Sequence, residues 1–213
     1  MERAFRLGIT GKIGSGKSTL SEVARQHGIR VLEADVIAKE VMNSDPEVRK
    51  KIISQFGPES FSGGNLNRSY LASKIFTDDE QRIQLEKIVH PVTLKVFEEE
   101  FRKASPGEII ALESAILFQT GLDEIFDAVI LVEAEDQEVI NREEGLGKFT
   151  REDITNRLLG QDYQTEWKED ADFSIINNGS KEDFVIRCES LIELIKIVSK
   201  GDLPVQSLRE IHD

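Results

Sequence analysis

The chain has 213 residues, 39% of them hydrophobic and 31% charged, with 40 acidic against 27 basic side chains and a formal net charge of -13. That length can bury one sizeable core, while the acidity argues against a general nucleic-acid binder, whose footprint is basic. No run approaches the roughly 18 apolar residues of a membrane helix, the opening MERAFRLGIT lacks a signal peptide's apolar segment, and the single cysteine, Cys188, allows no internal disulfide, so a cytoplasmic protein with a buried thiol is expected.

The first apolar run, AFRLGIT (4–10), reads as a strand. KSTLSEVARQH (17–27) reads as a helix, with Leu20, Val23 and Ala24 at helical spacing and Gly28 as its stop. IRVLEA (29–34) is a second strand closing on Asp35. VIAKEVM and PEVRKKIISQF are two helices, the second opened by Asp45-Pro46. GPESFSGGNLN is a turn-rich connection, and the stretch from Ser69 to Lys103 is helical with a break at His90-Pro91. EIIALES (108–114) and DAVILVEA (127–134) are strands of the buried type. Residues 135–145 and 150–161 read as helices around a hinge, GLGK (145–148). ADFSIINNG (171–179) is a fifth strand, and KEDFVIRCESLIELIKIVSK is a long amphipathic helix.

Five strands separated by helices predict an α/β fold whose parallel sheet carries helices on both faces. The roughly 70 residues between the second and third strands far exceed one crossover; they predict an inserted helical subdomain.

Residues 11–18, GKIGSGKS, satisfy G-x-x-x-x-G-K-[ST] between a strand and a helix. Gly11, Gly14 and Gly16 permit backbone angles that a side chain would forbid. The loop then curls its N–H groups around an anion, and the helix starting near Lys17 adds its positive dipole end. Lys17 would reach the β- and γ-phosphates, Ser18 would ligate Mg²⁺, and Thr19 is a further phosphate contact. The expected anion is a nucleoside triphosphate. No guanine-reading N-K-x-D occurs, and Asp35 stands where small-molecule kinases place an acid beside the acceptor hydroxyl. It would also serve as the cap of the following helix.

Taken in order, TGKIGSGKST, EADVIAKEV, IVHPV, LESAILFQ, TREDITNRLLGQ and DFSIINNG resemble the dephospho-coenzyme A kinases over residues 5–198. The resemblance implies an adenylate-kinase-like, P-loop NTPase-type fold in a single domain, 1–213. It would comprise a nucleotide-binding core (about 1–35, 105–135 and 165–200), a helical substrate-binding insertion (about 36–104) and a mobile helical lid (about 136–164). It also implies a reaction, transfer of the γ-phosphate of ATP to the ribose 3′-hydroxyl of dephospho-CoA, with Mg²⁺ present. The small-molecule substrate is then the partner, with no nucleic acid and no membrane, and a monomer is favoured. A kinase of another small acceptor, such as a nucleoside monophosphate or shikimate, and a nucleotide-binding regulatory switch are the alternatives.

The same resemblance assigns residues. The ATP site is Gly11, Lys12, Ile13, Gly14, Ser15, Gly16, Lys17, Ser18 and Thr19; Lys12 stands where the family has glycine, so its side chain must point outward. Asn177, Asn178 and Gly179 form a loop that would lie against the adenine (or a simple β-turn). Asp35, Lys17 and Arg142 would be catalytic. On the dephospho-CoA side stand Asp35, Arg68 (or an acid partner for it), His90 (or a filler in a kinked helix) and Leu117 with Phe118 (or core packing). Glu113 replaces an aspartate that holds Mg²⁺ through water, and Ala115 and Gln119 replace proline and glutamate. The lid's two arginines become Arg142 and Leu146, with Lys148 or Arg151 as replacement charges, and Arg157 and Gln161 continue its second helix.

Overall fold

The computed structural model describes residues 3–75, 78–147, 150–159, 161 and 167–202. In chain order it forms β1 (Phe5–Thr10), α1 (Lys17–Gln26), β2 (Arg30–Glu33), α2 (Ala34–Ser44) and α3 (Pro46–Phe56). A small hairpin of β3 (Phe61–Ser62) and β4 (Asn65–Leu66) follows, then α4 (Arg68–Ile75) and α5 (Asp79–Lys103). The chain continues through β5 (Ile109–Glu113), β6 (Ala128–Glu133), α6 (Asp136–Gly145), α7 (Arg151–Leu159), α8 (Trp167–Asp170), β7 (Phe173–Ile176) and α9 (Lys181–Ser199). It divides into two units: Met1–Leu32 with Ala104–Asp213, and Glu33–Lys103.

In the larger unit the sheet runs β2-β5-β1-β6-β7, and β1 pairs in parallel with β5 and β6. Alternate side chains Phe5, Leu7 and Ile9 of β1 join Ala128, Ile130 and Val132 of β6 on one face, covered by α1 and α9. Leu131 on the other face packs with Trp167 and Ala171. Both faces are closed, so AVILVE of β6 is an unbroken apolar run and not an alternation. Each fully buried Ile or Leu of this core contributes about 1.5–3 kcal/mol by burial. The register places Ile9 beside Glu113 and Thr10 beside Leu131. The carboxyl ends of β1, β5 and β6 therefore share one edge, at the strand where the order reverses. In open parallel sheets that is where ligands bind.

Cys188 lies on the inner face of α9 with no exposed surface. Burial pushes its thiol up to about 12, so it is protonated at neutral pH and shielded. Iodoacetamide at pH 8 is expected to label it only after denaturant unfolds the chain; labelling of the native protein would contradict this packing.

The smaller unit buries Val41, Val48, Ile52, Phe56, Leu71 and Val89 in its own core. Asp45 caps α3 by accepting from the N–H groups of Glu47 and Val48, both at 2.9 Å, and Pro46 occupies the first turn. The break expected at His90-Pro91 does not occur. Helix α5 runs for 25 residues through Pro91. The proline is on the solvent side, where the carbonyl of Lys87 that loses its partner can meet water. Val89, Thr93, Phe97 and Phe101 meanwhile recur every fourth residue on the buried face and hold the helix together. No helix among the described residues is long and apolar enough to cross a membrane.

Candidate active site

The turn from β1 into α1 is built by glycines with positive φ: Gly11 at 146°, Gly14 at 70° and Gly16 at 110°. Space demands them as much as angle. A Cβ on Gly14 would fall 2.5 Å from Cγ1 of Val139, and one on Gly16 would collide with the side-chain amide of Asn177. Helix α1 begins at Lys17 with no acid in its first turn, so its positive end is not offset there.

The loop's carbonyls are held by side chains. Lys17 Nζ donates to the carbonyls of Gly11 and Lys12, each at 2.9 Å. Arg142 donates to the carbonyl of Gly14 at 3.5 Å and also to that of Asn177. Asn177 Nδ2 donates to the carbonyl of Ser15 at 2.8 Å. Among the described residues, the N–H groups of Gly14, Gly16 and Ser18 have no acceptor. Those donors belong to residues that line a cavity of about 510 Å³.

The cavity brings together Gly14, Gly16, Lys17, Ser18, Thr19, Glu113, Arg142 and Gly179 from the sequence-based expectations. It also takes in Asn177 and Leu146, and adds Glu143, Lys181 and Phe184, which the motifs did not assign to it. Lys181 opens α9 directly behind the Ser180 cap. A short connection from a parallel strand must return its helix to the same edge, and that signal was available in the sequence. The walls carry the cations Lys17, Arg142 and Lys181 against the acids Glu113 and Glu143. Local cations and backbone donors thus give a strongly acidic chain one cavity with the chemistry to hold an anion.

Arg142 is placed by α6. Three residues before it, Val139 is fully buried and packs with Ile140, Ile154, Leu158 and Ile13. The N–H of Ile13 donates to Gln161 Oε1 at 2.9 Å, and Lys12 Nζ pairs with Asp136 at 3.3 Å, pointing away from the loop's interior. The bases of α6 and α7 are therefore fastened to the loop itself. Leu146 is 61% exposed on the cavity rim. Arg151 is directed to Glu144 and Gln137, at 3.3 and 3.4 Å. Lys148 lies outside the described residues.

Several motif residues turn out to build the fold. In TRED, the hydroxyl and N–H of Thr150 donate to Asp153 while the N–H of Asp153 donates back to Thr150 Oγ1, a reciprocal cap on α7. Those bonds hold the Asp153 carboxyl below the usual carboxylate range. Asn178 is spanned by Glu135, whose N–H donates to its Oδ1 at 2.8 Å and whose carboxylate accepts from its Nδ2 at 2.9 Å. Its side chain is therefore oriented by Glu135, with one N–H and one lone pair of the exposed amide left over. Gly179 has no positive φ, and a Cβ there would meet nothing nearer than 3.5 Å. Leu117 is a correction: it is fully buried, 2.9 Å from where Gly8 would carry a Cβ, and offers no surface to a substrate.

In the smaller unit, Asp35 is exposed in the first turn of α2, one residue inside a helix that begins at Ala34, so it is not the capping residue. Arg68 is exposed at the start of α4, and His90 is half-buried within α5.

For a divalent cation the donor set fits the phosphate-loop manner of binding. The exposed hydroxyl of Ser18 and the carboxylate of Glu113 line the same cavity. Ser21 Oγ donates to Glu113 Oε2 at 2.6 Å, which fixes that carboxylate and leaves its other oxygen for a water. Among the described residues no group of three or more His, Cys, Asp or Glu is placed to hold a metal unaided.

The family model CoaE, dephospho-CoA kinase, matches residues 5–183. The dephospho-CoA kinase of Bacteroides fragilis strain YCH46 is 35% identical over 178 residues, 84% of this chain and 87% of that protein. The crystal structure of TT1252 from Thermus thermophilus superposes with a TM-score of 0.77 at 30% identity, covering 90% of this chain and 97% of that one. Dephospho-CoA kinase from Campylobacter jejuni shares the fold, with a TM-score of 0.65 at 24% identity over 93% of this chain and 98% of that one.

Proposed function

The chain belongs to the dephospho-CoA kinase family, and from that membership we propose how its own residues carry out the family's reaction. That reaction is ATP-dependent phosphorylation of dephospho-CoA on its ribose 3′-hydroxyl, the final step of coenzyme A synthesis. The observation that carries the assignment of roles is the glycine loop, whose residues with unpartnered N–H groups line one cavity together with Lys17 and Arg142.

The loop binds the triphosphate of ATP through the N–H groups of Gly14, Gly16 and Ser18, with Lys17 neutralising the outer phosphates. Arg142 is held by two backbone carbonyls, so its charge is in place before substrate arrives and needs little reorganisation during transfer. Asp35 accepts a hydrogen bond from the 3′-hydroxyl, orients it and takes its proton as the P–O bond forms. Arg68 and His90 serve the dephospho-CoA side. Helices α6 and α7 belong to the lid that closes and excludes water, and the start of α6 is held on the loop through Asp136. Mg²⁺, held by Ser18 and through water by Glu113, would supply charge neutralisation between the phosphates. The working unit is one chain in the cytoplasm, made of a nucleotide-binding core, a helical substrate-binding insertion and a lid.

ADP release in the presence of a panel of acceptors tests this reading. Dephospho-CoA is expected to stimulate it, with nucleoside monophosphates and shikimate inactive. Stimulation by one of those instead would select another small-acceptor kinase, and ATP binding with no acceptor response would select the regulatory switch.

A further inference from the structure

Asn177 stands at the end of β7, in neither the glycine motif nor the helix it opens, yet its side chain reaches the centre of the loop. It is 6% exposed. Its N–H bonds to the carbonyl of Glu133 at 2.8 Å, which seats it on β6. Its Nδ2 donates to the carbonyl of Ser15 at 2.8 Å, a bond buried from solvent. The same amide group fills the space a side chain on Gly16 would need, and the ring of Phe184 closes that space from the other side, 3.0 Å from the missing Cβ.

A trans peptide is planar, and the C=O of one residue points opposite to the N–H of the next. Holding the Ser15 carbonyl on the β7 side therefore turns the Gly16 N–H the other way. That N–H has no acceptor among the described residues, and Gly16 lines the cavity. Gly16 has no side chain and a φ of 110°, so its own preferences do little to fix the peptide before it. An external donor on Ser15 supplies that constraint.

We infer that Asn177 is a positioning residue that aims the Gly16 N–H at the nucleotide's phosphates, a role that rests on the ATP-site reading above. It acts through the Ser15–Gly16 peptide, from the wall of the same cavity. Arg142 leans on the backbone carbonyl of Asn177, so changing the side chain leaves that anchor in place.

Two variants test the role. Asn177→Leu keeps the buried volume and removes the donor, and Asn177→Asp keeps the shape and sets an acceptor against an acceptor. In each, ADP affinity is expected to fall about 10- to 100-fold, the range for one hydrogen bond to a charged group. Amide NMR of the wild type titrated with ADP should move both Gly16 and Ser18. In either variant that folds, Ser18 should still move at saturating ADP and Gly16 should not. A folded variant with wild-type ADP affinity and a wild-type Gly16 shift overturns the role of Asn177 alone. A wild-type Gly16 signal indifferent to ADP overturns it together with the placement of nucleotide on the loop.

Discussion

Lys17→Ala is expected to lower phosphoryl transfer to dephospho-CoA about 1,000-fold, the upper range for removing one preorganised donor from developing charge. Two losses combine. The triphosphate loses the cation that the loop motif carries, and the loop loses the ammonium that ties the carbonyls of Gly11 and Lys12 together at 2.9 Å. The second loss belongs to the ligand-free protein, so Tm should fall by a few degrees even without ATP. Lys17→Arg should not restore turnover, because a planar fork cannot occupy the position of a compact charge bound between two adjacent carbonyls. ADP release at saturating dephospho-CoA, measured beside Tm, separates the effects. Unaltered turnover in folded Lys17→Ala would mean that the phosphates bind elsewhere.

The strand–loop–helix unit was legible because its constraints are local: glycine angles, apolar runs and one lysine at fixed spacing. Elements decided by distant contacts were not. The hairpin of β3 and β4 turns on Gly63 and Gly64, both with positive φ, but strands of two residues are too short to show alternation. Helix α5 passes Pro91 because a buried stripe outweighs one lost hydrogen bond on the solvent side. A motif records that a side chain is needed without saying by what. Thr150 and Asp153 are needed by a helix end, and Asn178 by Glu135. Asp172 is needed by β6, since its carboxylate accepts from the N–H of Val129 at 2.8 Å. Leu117 was ambiguous for the same reason, and burial decides it. Asn177 is the converse case: it sits in a run that reads as an adenine-side loop or a simple turn, and its reach to Ser15 exists only once β7 is seated beside β6.

The fold's division of labour gives the second large effect a clear form. Asp35→Asn is expected to leave ATP affinity within about twofold and to lower turnover at least 100-fold, the range for loss of a general base. The residue lies in the smaller unit, whereas the loop, Lys17 and Arg142 all belong to the larger one, so nothing in the cavity proposed for ATP is altered. Asparagine is nearly isosteric with aspartate. Asp35 is exposed in the first turn of α2, where losing a negative charge costs about 0.3–1 kcal/mol of helix-dipole interaction, too little to unfold the protein. A fall in turnover therefore reports chemistry. It should appear in kcat with the KM for ATP preserved, because the amide can still receive the 3′-hydroxyl's hydrogen bond but cannot take its proton. Slow hydrolysis of ATP without acceptor should be unchanged, since no ribose hydroxyl is deprotonated there. If turnover with dephospho-CoA stays near normal in Asp35→Asn, the proton leaves by another route and Asp35 serves only the start of α2.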